Sequence, residues 1–160
     1  MQKLVIIEIQ KVMNNMGGII RCEVVQVSAV ETFEVMNSAV RLTLKSGQSW
    51  ETLTISTRQT TAVAPPEKSE TGTAYAHRFT TVLPFCVYRG ENISFYRDCC
   101  RNGCLVRYTD ANLRTRILGS KEFPLTGTFE EVPGETAADL AGYRLELEAT
   151  CLHPQLIYKV

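Results

Sequence analysis

The residues Tyr143-Arg144-Leu145-Glu146-Leu147-Glu148-Ala149-Thr150-Cys151 alternate apolar and polar without a break. A period of two places Tyr143, Leu145, Leu147, Ala149 and Cys151 on one side of an extended chain and the charged or hydroxyl residues on the other. The segment therefore fits a strand with one buried and one wet face, and fits no helix. The same period recurs. Ile19 to Val27 is rich in β-branched residues and follows Gly17-Gly18, a turn or bulge signal. Val40-Arg41-Leu42-Thr43-Leu44 alternates, and Trp50 to Thr57 alternates again after Lys45-Ser46-Gly47-Gln48, so the two read as a hairpin with a four-residue loop. Trp50, Leu53 and Ile55 do not share one parity, which predicts a bulge near Glu51 or a strand start with two buried sides. Thr73 to Leu83 reads as a strand stopped by Pro84, with His77 on its solvent side. Cys104 to Thr109 and Arg114 to Gly119 form a second hairpin across Asp110-Ala111-Asn112, and Leu125 to Glu131 is a further strand.

One short helix is expected near residues 92–102. Asn92 caps its first turn, Ile93, Tyr96 and Cys100 share a stripe, and Asn102-Gly103 stops it. Residues 62–72 hold two adjacent prolines, three charges and a glycine, and read as a Pro-rich surface loop. Strands following strands predict a mainly β chain: an antiparallel β-sandwich or barrel-like domain with that single helix, forming one β-rich domain over residues 1–160. There is no alternating βαβα order and no GxGxxG or GxxxxGK[ST], which argues against a doubly wound nucleotide-binding fold.

Seventeen basic residues balance seventeen acidic ones. Overall charge therefore gives no pull toward nucleic acid or anionic lipid, and neither is an expected partner. No run reaches the roughly 18 apolar residues of a membrane-spanning helix, and the opening Met1 to Ile9 is broken at Glu8, so it does not read as a signal peptide. Without that signal, the six cysteines read as reduced thiols rather than a disulfide scaffold.

Three groups of residues are candidates for chemistry. The spacings Cys100-x₃-Cys104 and Cys151-x-His153 match a zinc knuckle imperfectly, because the second pair is too close. Whether Cys99, Cys100, Cys104, Cys151 and His153 hold a metal stays open at this point, and no cofactor is assigned. Arg97 and Arg101 lie where they could activate a neighbouring thiol, but no catalytic signature surrounds any cysteine and no catalytic residue is assigned. The third group is electrostatic. From Arg89 to Lys121 seven basic residues face three acidic ones, and from Glu122 to Glu148 seven acidic residues face one arginine. Such a dipolar chain pairs its charges across neighbouring strands or docks them head to tail on another copy, with nucleic-acid binding by the Arg-rich hairpin a lesser third reading because only Tyr108 interleaves its basic residues. The candidate subunit interface is Arg107, Arg114 and Arg116 against Glu130, Glu131 and Glu135.

The stretch Cys104-Leu-Val-Arg-Tyr-Thr-Asp-Ala-Asn-Leu-Arg-Thr-Arg-Ile-Leu-Gly-Ser-Lys-Glu-Phe-Pro-Leu, with Gly142-Tyr-Arg-Leu-Glu-Leu-Glu-Ala-Thr, the terminal Pro154-Gln-Leu-Ile-Tyr and the earlier Gly72-Thr-Ala-Tyr-Ala-His-Arg-Phe, resembles small tail-associated structural proteins of prophages in Bacteroides-type bacteria. The resemblance implies a non-enzymatic virion component made in the bacterial cytoplasm, whose partners are other copies of itself or neighbouring tail proteins. It carries no site motif that transfers residue by residue. A β-rich module binding a partner or small ligand is the alternative expectation, and an uncharacterised enzyme the third.

Overall fold

The computed structural model describes residues 17–55, 59–85, 91–134 and 141–159. Among the described residues, twelve strands and one α-helix are laid out as β1 (Ile19–Gln26), β2 (Val30–Met36), β3 (Ala39–Leu44), β4 (Glu51–Leu53), β5 (Thr61–Val63), β6 (Pro66–Ser69), β7 (Gly72–Pro84), α1 (Glu91–Asn102), β8 (Cys104–Asp110), β9 (Thr115–Leu118), β10 (Thr126–Val132), β11 (Gly142–Cys151) and β12 (Leu156–Lys159). They form a seven-stranded sheet in the order β2-β3-β12-β9-β8-β1-β4 and a five-stranded sheet built on β10-β11-β7-β5, with β6 also on β7. The mainly β, sandwich-like architecture is the one the alternation requires. Its pairing is antiparallel except for β12 on β3, which is parallel.

A three-residue 3-10 turn, Val27–Ala29, joins β1 to β2. Four Cα steps from Gln26 to Val30 span at most about 15 Å. Five strand spacings, the distance from β1 to β2 across a flat sheet, cover about 24 Å. The seven-stranded sheet must therefore curl until β2 approaches β1. Inside the curl lies a core of Val25, Val30, Val40, Leu42, Leu105, Ile117 and Leu156, with Trp50 and Tyr158 packed against it. The other side of β8, β1 and β4 faces the five-stranded sheet across a larger core that includes Cys22, Val24, Phe79, Leu83, Val106, Leu118, Leu145 and Leu147. β8 thus buries both of its sides.

Helix α1 fills the gap between the edge strand β10 and β1. It presents Tyr96, Cys99 and Cys100 to the larger core, where Tyr96 stacks on Phe129 and Phe129 on Tyr143. The helix ends at Gly103, as the Asn102-Gly103 stop requires. Gly103 has φ 102° and its N–H bonds the Cys99 carbonyl, while a Cβ there would stand 2.8 Å from the Pro124 ring.

Two sequence expectations are corrected. The segment 39–44 does not pair with the segment after Trp50. β3 pairs with β2 through a two-residue turn, Asn37-Ser38, in which both residues have positive φ, as a tight hairpin twist requires. β4 crosses to the far edge of the sheet and pairs with β1. The off-parity Trp50 is then explained: it packs in the curled core while Leu53 packs in the larger one. The expected Pro-rich loop at 62–72 is strand over most of its length. Ala62 and Val63 lie in β5, and Pro66–Ser69 is β6, which pairs with the start of β7. Pro66 is tolerated because it is the first residue of an edge strand, where a missing N–H costs no ladder bond.

Tyr143, Leu145, Leu147 and Cys151 of β11 are buried while Glu146, Glu148 and Thr150 are exposed. Truncating Leu145 or Leu147 to alanine is expected to cost about 2–5 kcal/mol, measured by denaturant unfolding. An unchanged midpoint for both would mean that β11 does not face the core.

Candidate functional site

His77 is the most heavily engaged titratable side chain between the sheets. It is fully buried on β7, opposite Ala149 of β11, and not on the solvent side. The correction has a simple cause: an imidazole whose two nitrogens are both satisfied can be buried among apolar neighbours, which alternation alone does not reveal. The Gly119 amide can only donate, so Nδ1 accepts from it at 3.0 Å and the proton rests on Nε2, which donates to the His153 carbonyl at 2.8 Å. The His153 ring stands edge-on to it at 5.6 Å. One side chain of the five-stranded sheet thereby holds the end of β9 and the segment leading into β12, both belonging to the other sheet. Burial lowers the His77 pKa below its ordinary 6.5, the His153 carbonyl opposes that shift, and the His153 charge adds to it. The pair of bonds is structural, with no nitrogen left for proton transfer.

The thiols are equally withdrawn. Cys22, Cys99, Cys100, Cys104 and Cys151 are all free and buried. Cys86 lies outside the described residues. Burial and the Glu23 carboxylate push Cys22 up to about 12, and burial with Cys99 nearby takes Cys100 to about 11. Burial likewise takes Cys151 to about 11 against the opposing Ser120 hydroxyl. A hydrogen bond with Cys99, then burial, raises Cys104 well above its ordinary value. Cys104 and Cys151 point their S–H groups at the Leu125 and Phe123 carbonyls, each at 3.7 Å. Thiolate is disfavoured at Cys22, Cys100, Cys104 and Cys151, the reverse of what a nucleophile or zinc ligand needs. Among the described residues no three His, Cys, Asp or Glu side chains come together to hold a metal ion, so Cys99, Cys100, Cys104, Cys151 and His153 do not form one site.

The charged candidates separate into spent and unspent groups. Arg107 is spent. Its side chain is 15% exposed, donates to Glu23 across the β1–β8 register at 2.5 Å, and lies over the rings of Trp50 and Tyr158 at 4.3 and 4.7 Å. It belongs to the curled core and does not supply an outward docking charge. Arg21 bonds the same carboxylate at 3.2 Å. Arg114 reaches Asp110 at 3.3 Å within the β8–β9 turn but stays 64% exposed. The Asp110 carboxyl feels some burial, and the N–H groups of Arg114 and Asn112 outweigh it and hold its pKa below the usual carboxylate value. Arg116 sits half-buried beside them, in an open cleft of ≈ 310 Å³ with Tyr108, Pro154 and Gln155, and has no carboxylate partner among the described residues. Tyr108, pushed up to about 12 chiefly by burial, keeps its proton and donates it to Gln155 Oε1.

On the acidic side, Glu130 reaches Arg144 at 3.4 Å with both side chains substantially exposed, and Glu131 is exposed on the same strand. Glu135 lies outside the described residues. The basic and acidic candidates therefore stand on different sheets: Arg114 and Arg116 on or beside β9 of the seven-stranded sheet, Glu130 and Glu131 on β10 of the five-stranded one. Alternation does not reveal the Arg107–Glu23 pair, although Arg107 is a single charge among Leu105, Val106 and Tyr108 and Glu23 lies between the apolar Cys22 and Val24. That is the signal by which such a buried pair is found.

No protein-family model, curated protein or solved structure matches the chain. Among the described residues no helix is long and apolar enough to cross a membrane.

Two expectations follow. Stability should fall as the pH drops below about 6.5, because the unfolded chain takes up a proton there that folded His77 resists. The loss should continue down to the lowered folded-state pKa, and His77→Ala should remove that part of the slope while costing about 1–3 kcal/mol for each bond partner left unpaired. Melting temperature against pH for both proteins measures this. Timed alkylation with mass spectrometry should label at most one of the six thiols, Cys86, before unfolding. Rapid labelling of any other would overturn the buried placement.

Proposed function

We propose that this chain is a non-enzymatic structural or assembly protein of a phage or prophage tail, acting through contacts between its own copies or with neighbouring tail proteins. It is made in the bacterial cytoplasm and carried into the virion. The observation that supports this reading best is where the unspent charge lies. The described thiols and His77 are buried, and His77 is committed to holding the fold. Among the surface charges, Arg114 and half-buried Arg116 give a cationic patch at the β8–β9 hairpin, and Glu130, Glu131, Glu146 and Glu148 an anionic one on β10 and β11. A cationic patch on one sheet and an anionic patch on the other suit a heterologous contact, in which one face of each copy meets a different face of the next and the contact closes into a ring or extends as a filament. The resemblance of the C-terminal half to tail-associated prophage proteins points the same way.

Attraction between exposed charges weakens as the Debye length shrinks from about 10 Å at 0.1 M salt to about 3 Å at 1 M. Light scattering across that range should therefore show species larger than a monomer at low salt that dissociate as salt rises. A monomer at every salt and concentration would remove self-assembly. Mass spectrometry of particles released from an induced host strain tests the virion location, and absence of the chain from them would remove it.

A further inference from the structure

The strand register defines a surface that the charge pattern alone does not. Met36 of β2 lies opposite Ala39 of β3, Ala39 opposite Ile157 of β12, and Ile157 opposite Arg116 of β9. Directly paired residues share a face, so these four form one continuous row across the seven-stranded sheet. The row continues through Tyr108, Cys22 and Leu53 into the core that the five-stranded sheet covers. From Arg116 outward the row opens among the described residues, although Ala39, between Met36 and Ile157, stays buried at 6% exposed. Met36 is 66% and Ile157 40% exposed, although they stand on the face that is buried farther along the same sheet. Two residues along the strands, Glu34, Arg41 and Lys159 form a parallel row on that face, all exposed. The result is a surface with an apolar strip, cations at Arg41, Arg116 and Lys159 outnumbering the single carboxylate of Glu34, and Arg114 at its border. Methionine and arginine beside apolar surface are the residues that protein interfaces concentrate.

We propose that this uncovered face, centred on Met36, Ile157 and Arg116, docks the outer face of β11 on a second copy, with Arg116 taking a carboxylate of Glu146 or Glu148. The proposal rests on the self-assembly reading and replaces Arg107 with Arg116 as its central cation. Charge complementarity selects the occupant. Glu146 and Glu148 project from the exposed side of β11, where they line a shallow open depression of ≈ 190 Å³ with Thr80, Thr128 and Arg78, the last directly opposite Glu148 in the register. Glu146 has only a loose contact to Arg144 at 3.9 Å. In the cleft, Asp110 balances Arg114, so Arg116 is left in surplus. The Tyr108 bond to Gln155 Oε1 leaves the Gln155 amide NH₂ as an added donor for the incoming oxygen.

Size-exclusion chromatography with light scattering at low salt tests this with reciprocal charge reversals. Arg116→Glu should be monomeric with an unchanged melting temperature, and so should the double variant Glu146→Lys with Glu148→Lys. Mixed in equal amounts, the two should assemble again in alternation, because each supplies the charge the other lost. Arg107→Glu serves as the contrast and should instead lower the melting temperature. If the wild type assembles in a salt-sensitive way while Arg116→Glu assembles equally well, the docking face is elsewhere and only this proposal falls. Failure of the mixture to reassemble would exclude β11 as the occupant. A wild type that stays monomeric removes both the face and the self-assembly reading.

Discussion

The shortness of the link between β1 and β2 governs the rest of the molecule. A three-residue turn joins strands that stand five places apart in their sheet, and only a curled sheet satisfies both facts. Curling has two consequences. It creates an interior of its own, which Trp50 and Tyr158 pack against and into which Arg107 carries its charge only because Glu23 and two aromatic faces receive it. It also turns β2, β3 and β12 away from the second sheet, so a face that is core at β8 and β1 reaches solvent at β12 and β2. The exposed Met36 and Ile157 follow from the backbone path and are not isolated accidents of composition.

Joining a curled sheet to a second sheet needs contacts that resist sliding. Apolar packing fills the space between them but is indifferent to small shifts, whereas hydrogen bonds are not. His77 supplies the directional part. It reaches from β7 to the Gly119 amide and the His153 carbonyl, fixing where β9 ends and where the chain turns toward β12. The Thr60 and Thr81 hydroxyls, 2.9 Å apart and buried, add a second polar contact within the five-stranded sheet. The cysteines contribute bulk of the right size. Their raised pKa values are a consequence of that role, because a thiol that fills core space cannot hydrate its anion.

Local pairings were legible in the sequence and distant ones were not. The β8–β9 hairpin, the helix over 91–102 with its Gly103 stop, and the alternation of β11 all rest on information within about a dozen residues. β2 was invisible because Val30–Met36 exposes most of its residues and so shows little apolar contrast. Its Asn37-Ser38 turn also lacks the glycine that usually marks a tight hairpin. The partner of β3 was misassigned for a related reason. Lys45-Ser46-Gly47-Gln48 is good turn chemistry, and nothing near it says that the chain goes on to pair with β1, some 30 residues earlier, instead of with the strand it has just left. The short C-terminal strand β12 and its parallel pairing with β3 depend on an even longer separation.

The charges of the proposed docking face are half legible in the sequence, and parity explains the division. Alternation reports orientation only when one side of a strand is wet. In β11 it does, and the outward placement of Glu146 and Glu148 follows directly from the sequence. In β8 both sides are buried, so Leu105, Val106, Arg107 and Tyr108 form a run with no contrast, and nothing in it states whether Arg107 points into a core or out of one. The register with β9 resolves this. Arg107 lies opposite Ile117, on the curled interior, and Tyr108 lies opposite Arg116, on the other side. A step of one residue thus divides two arginines of equal charge between an internal salt bridge and an uncovered surface. A surplus of positive charge along a segment therefore locates a hairpin, but its strand pairing decides which charge is available to another molecule.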